Sequence, residues 1–233
     1  MASYRGHLAF SSALGAGYGA WATWQWQMDW GPVLLGSGLT ALGGLLPDLD
    51  SDSSVPFREV FGLAAAIAPF LVIHRVLTLG FSVDQTLVIV TGIYLFIRYG
   101  VRSVFKRLTV HRGMFHSIPA MLIAGLIVFL IHLGSGQERL FLTGGVMIGF
   151  LSHLVLDKLY DVDILGGKLH LKVGAGSPLK FMSSSWSATF ATYILLAGLG
   201  YLAYQDVYGQ RDVWHSLPGE LQRLQSWARS WHS

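Results

Sequence analysis

The chain has 233 residues, of which 52% are hydrophobic and only 12% charged, with a mean hydropathy of +0.50. A soluble domain carries about a quarter charged residues, so this composition excludes an ordinary soluble globule and indicates a polytopic, all-α membrane protein. With no cysteine, thiolate metal sites and disulfides are excluded. The pI near 9.2 is not read as nucleic-acid binding, because the basic residues flank apolar segments, where they face anionic lipid.

A spanning helix needs about 20 mostly apolar residues. Seven segments qualify, roughly 8–26, 31–47, 60–79, 84–101, 117–133, 140–160 and 187–205, which predicts six to seven transmembrane helices. The first two are short and glycine-rich and suit a hairpin that does not fully cross. The 28 glycines let helix backbones approach closely in a packed bundle. The loop 161–186 reads as a mobile lid or an irregular connector. Leu217, Leu221, Leu224, Trp227 and Trp231 fall at helical spacing, predicting a terminal amphipathic helix on the membrane surface or packed on the bundle. The expected division is a membrane-embedded domain over 1–206 and an interfacial segment over 207–233. No cleavable signal is evident: Arg5 and His7 precede a glycine-rich stretch without a small-x-small site.

Orientation follows from lysine and arginine. Placing the N-terminus and alternate loops on one side puts 11 basic residues there and 5 on the other, of 16 in the chain. The N-terminus is therefore expected in the cytoplasm. On that assignment four polar motifs arrive at one face.

His7 follows Gly6 at the head of the first segment. Asp48, Asp50 and Asp52 alternate after Pro47, a spacing that turns several oxygens toward one cation. An EF-hand reading of Asp48 to Glu59 fails at its sixth place, which is Ser53 rather than glycine. His111 and His116 bracket Arg112 and Gly113, with Ser117 suited to cap a helix that has Pro119 in its first turn. His153 and Asp157 are four apart on a helix, so they share a face one turn apart. Ionisable groups at membrane depth cost several kcal/mol and are kept mainly for function. His74 and His132 lie toward the other side and suit local hydrogen bonds. His170 lies in the 161–186 loop, and His215 and His232 in the tail.

Gly-His-Leu near the N-terminus, Leu-Leu-Pro-Asp-Leu-Asp, His-Arg-Gly-x-x-His-Ser and Gly-x-Leu-Ser-His-x-x-x-Asp occur in this order. The set resembles the bacterial inner-membrane family typified by the LexA-regulated YdjM protein, over roughly residues 5–185. That family is labelled, by inference, as metal-dependent hydrolases. The resemblance implies a multi-pass protein of the cytoplasmic (inner) membrane with a divalent metal site. The implied ligands are His7, Asp48, Asp50, His111, His116, His153 and Asp157. Where the family often has histidine this chain has Asp52, which shifts preference toward harder ions.

The expected function is therefore a membrane-bound metal-dependent hydrolase acting on a phosphoester of a membrane lipid, a phospholipid or isoprenoid phosphate, at the cytoplasmic face by metal-activated water. The ligand surplus suits one to three ions, zinc or manganese, and paired ions favour phosphoester chemistry. Arg112 is expected to clamp phosphate, and Asp50 or Asp52 to take the proton from water. No His-Glu-x-x-His, serine elbow or glycine-rich phosphate loop is present. The alternative is a non-catalytic scaffold with a structural metal. A metal transporter would need ionisable groups near the midplane, whereas these cluster at one edge.

Overall fold

The computed structural model describes residues 3–50, 54–101, 114–160, 162–165, 168–171, 181–182 and 186–208. Among these residues seven α-helices occupy the seven apolar segments. They are α1 (Tyr4–Trp26), α2 (Trp30–Gly43), α3 (Ser54–Thr78), α4 (Val83–Leu95), α5 (Ile118–Ile131), α6 (Gly136–Tyr160) and α7 (Trp186–Tyr208).

Their ends have local chemical causes. Ser3 caps α1 by accepting from the amide of Gly6, and Gln27 in the left-handed region ends it. A capping box of Ser82 and Gln85 opens α4, which continues as a π-helical stretch, Phe96–Val101. Ser117 accepts from the Ala120 amide at 3.2 Å, with proline in the first turn of α5, as its sequence predicts. At the start of α6 the Ser135 hydroxyl accepts from the Glu138 amide and the Glu138 carboxylate accepts from the Ser135 amide. Each cap satisfies amides that would otherwise be orphaned at a helix start.

Helices α1 and α2 form a tight hairpin. A Cβ at Gly15 would lie 2.6 Å from the Ser37 carbonyl oxygen, and the Ser37 hydroxyl donates to the Gly15 carbonyl at 2.9 Å. Small residues with a hydroxyl crossing between helices are how apolar helices associate without a hydrophobic driving force. Helix α2 packs equally closely on α6, where a Cβ at Gly149 would land on the Thr40 carbonyl oxygen. Around these contacts lies a core that includes Leu39, Leu45, Phe141, Leu142 and Val146, all buried. Helices α3 and α4 form a second hairpin, and α7 lies against α5. At the end of the bundle away from His7, the Arg75 guanidinium donates to the carbonyls of Leu130 and Ile131, which close α5. There Arg139 also pairs with Asp206 of α7 and donates to the Phe129 carbonyl.

Among the described residues three helices are long and apolar enough to cross a membrane: Arg58–Thr78, Gly136–Leu159 and Trp186–Tyr208. Helix α5 is apolar but has 14 residues, about 21 Å, short of a 30 Å hydrocarbon core. Helix α1 has 23 residues and the length to cross, but its small and polar residues dilute its hydropathy. The stretch expected to be a lid or irregular connector contains an antiparallel hairpin, β1 (Val162–Leu165) with β2 (Lys168–Leu171), in which Asp163 faces His170. The terminal amphipathic stretch, with His215 and His232, lies outside the described residues.

Candidate metal centre

The helices alternate in direction, so the head of α1, the turn after α2, the head of α5 and the tail of α6 meet at one end of the bundle. The turn after α2 is a 3-10 helix, Leu46–Asp50, and it carries Asp48 inward. Three side chains of the cluster, His7, His153 and Asp157, are almost fully buried. Asp48 and His116 form its outer edge, with side chains 22% and 19% exposed.

His7 Nε2 lies 3.2 Å from Asp157 Oδ1. His153 Nε2 lies 3.5 Å from Asp157 Oδ2 and 3.7 Å from Asp48 Oδ1. His116 Nε2 lies 3.9 Å from the same Asp48 oxygen. Most of these separations exceed a hydrogen bond of about 2.7–3.2 Å. They suit donors around a shared cation: ligands each about 2.0–2.2 Å from zinc lie no more than about 4.4 Å apart.

The His153 ring favours the shared cation. Its Nδ1 lies 2.8 Å from the Gly44 carbonyl oxygen, and a carbonyl only accepts, so Nδ1 carries the proton. In the neutral ring Nε2 is then a bare lone pair. It is buried, has no hydrogen-bond partner among the described residues, and faces two carboxylates. Lone pair against carboxylate repels unless a cation lies between them. His7 stacks on the same ring, with centroids 3.7 Å apart and planes 13° from parallel, which brings a second imidazole to the same place. An imidazole held through Nδ1–H by a backbone carbonyl, with Nε2 aimed at acids, is the second-shell arrangement of metal-bound histidine. His7 Nδ1 is likewise buried without a hydrogen-bond partner among the described residues.

Two three-residue groups have ligand atoms within 4.8 Å of one another: His7, Asp48 and His153, and His116, His153 and Asp157. Both use His153, so the donors suit one ion or a closely spaced pair. Five of the implied metal ligands are thus brought together. His111 lies outside the described residues, as do Arg112 and Asp52. Asp50 closes the 3-10 helix with its backbone, and its side chain lies outside the described set. The EF-hand pattern is not built as a loop, because Ser54 already starts α3 and Glu59 lies within that helix beside Arg58. His132 is at the far end, with Nε2 3.8 Å from Glu138 Oε2, too long for the local hydrogen bond expected of it.

One comparison with known families bears on this chain. Residues 1–166 match the YdjM inner membrane protein family. The chain belongs to that family. The YdjM match covers every ligand named above, and the chain is accordingly a bacterial inner-membrane protein. No curated protein and no solved structure matches it. The YdjM name says nothing of chemistry, so the chemistry must be argued from the side chains. Among those, Gly44 escaped the sequence reading. The signal for it was the Gly43-Gly44 pair just before Leu-Leu-Pro-Asp, where only a bare backbone lets α2 approach α6 closely enough to present a carbonyl to His153.

Proposed function

We infer that this protein is a multi-pass, metal-dependent hydrolase that cleaves a phosphoester of a membrane lipid at the cytoplasmic face. The observation that carries the metal reading is His153, donating from Nδ1 to Gly44 while Nε2 faces Asp48 and Asp157. His7, Asp48, His116, His153 and Asp157 would hold the ion, and their mixed nitrogen and carboxylate donors suit zinc or manganese. A divalent ion there would supply Lewis acidity toward a phosphoryl oxygen and acidify water.

The chain's own residues supply the rest. Arg112, inside the histidine motif, would clamp the phosphate through its planar fork. Asp50 or Asp52 would take a proton from water as its oxygen adds to phosphorus. The ester P–O bond breaks, and that proton passes to the leaving oxygen. The eleven-to-five basic split supports a cytoplasmic N-terminus, which sets the cluster at headgroup depth on that side.

The burial of His7, His153 and Asp157 favours a second reading, a closed structural metal in a scaffold. The partly exposed edge at Asp48 and His116 favours the enzyme. The test is phosphate release from a panel of lipid phosphates by the zinc- or manganese-loaded protein. Arg112→Lys should keep the metal and lose most turnover. A fully metallated protein that releases no phosphate from any of the panel would favour the scaffold.

A further inference from the structure

An apolar cavity of about 430 Å³ runs beside the cluster, walled by α2, α3, α5, α6, α7 and the π-helical end of α4. Its near end is formed by Leu46, Met114 and Phe150. Leu46 is two residues from Asp48, Met114 two from His116, and Phe150 three from His153. The cavity therefore begins where the polar cluster ends. Its far end reaches Leu71 and Ile131.

From Ala120 to Ile131, both of which line it, α5 rises roughly 16 Å. That is about half the 30 Å hydrocarbon core, the depth of one leaflet. Its lining is almost wholly apolar, which suits a hydrocarbon chain. The cavity also opens sideways. Ile127 of α5 and Leu195 of α7 line it and are nonetheless 41% and 50% exposed, so it is reached from the outside of the bundle.

We propose that this cavity is the acyl-chain site of the lipid ligand. One chain of a phospholipid in the leaflet on the cluster's side enters between α5 and α7 and lies along α5, with its phosphate at the metal centre. The assignment rests on the metal-site reading above and adds a ligand class to it: a lipid bound by one chain within its own leaflet, in preference to a water-soluble phosphate. A soluble phosphate would gain nothing from an apolar slot, whereas a lipid chain entering from its own leaflet exchanges one apolar surrounding for another and stays out of water.

The test uses the full chain, loaded with zinc, in phosphatidylcholine vesicles. The probe is a phosphonate analogue of lysophosphatidic acid with a photoreactive diazirine at the chain end. Crosslinks should concentrate on Leu71, Ile127 and Ile131. Ala68→Phe and Ala124→Phe, each of which puts a ring into the cavity, should reduce them about tenfold and leave zinc content unchanged. Label spread equally over the outward-facing Leu87, Val88 and Phe190 would overturn the proposal, as would a pattern that neither variant alters. If neither variant folds, the wild-type map alone decides. Cavity labelling in a protein that retains no zinc would defeat the metal reading and leave the chain site standing. Bound zinc with surface labelling alone would do the reverse.

Discussion

Gly149→Ala tests whether helix packing sets the metal site. A Cβ at Gly149 would fall on the Thr40 carbonyl oxygen, 2.8 Å from the Thr40 carbonyl carbon and 3.0 Å from the Gly44 amide nitrogen. Ordinary contact begins at 3.4 Å, so the carbonyl carbon alone requires the end of α2 to retreat by about 0.6 Å, the difference between 3.4 and 2.8, and the closer oxygen requires more. A retreat of that size along the bond moves the Gly44 carbonyl from 2.8 Å to at least about 3.4 Å from His153 Nδ1, beyond good hydrogen-bond range. Overpacking of this kind costs about 1–3 kcal/mol of stability. Loss of a second-shell bond to a metal-binding histidine weakens metal affinity about 10- to 100-fold. Chelator competition on the purified protein measures the second effect, and thermal unfolding in detergent the first. Gly17→Ala is the control, since its Cβ meets nothing within 4 Å and alanine favours helix by about 1 kcal/mol. A Gly149→Ala protein that melts earlier but binds metal as the wild type does would refute the link between α2 packing and His153.

Two further outcomes are expected. Asp206→Ala removes the carboxylate partner of Arg139 at the far end of the bundle and leaves it the Phe129 carbonyl. It should cost about 3 kcal/mol, as breaking one side of a buried pair does, and leave metal affinity unchanged; a change in affinity would mean the two ends are coupled. For topology, cysteines placed at positions 54 and 105 should resist an impermeant thiol reagent in intact cells and react after permeabilisation. Labelling from outside would invert the assigned orientation.

The helices were legible because their apolar runs and caps are local. Ser117 with Pro119, and Ser82 with Gln85, announce helix starts within four residues. The number of full crossings was not legible, because α1 and α5 separate length from hydropathy: one is long and dilute, the other apolar and short. The β1–β2 hairpin was missed although its signal is present. Val162 to Leu165 and Lys168 to Leu171 flank Gly166-Gly167, a two-residue glycine connection between short runs, and the surrounding glycines and Pro178 drew attention to irregularity instead. For the site, the i, i+4 spacing of His153 and Asp157 was readable on one helix. The stack of His7 on His153 and the Gly44 carbonyl were not, since both depend on how closely α1, α2 and α6 approach. The apolar cavity was beyond the sequence for a related reason. Its walls come from six helices, and its residues look like any other lipid-facing or core leucine and isoleucine.

The most direct test of the central claim is metal analysis of the purified protein beside Asp157→Ala and His153→Ala. The account predicts at least one tightly held zinc or manganese per chain in the wild type and its loss in both variants, with each variant still helical by circular dichroism. A folded wild-type protein that holds no divalent metal when supplied with both, or an Asp157→Ala protein that keeps its full complement, would contradict it.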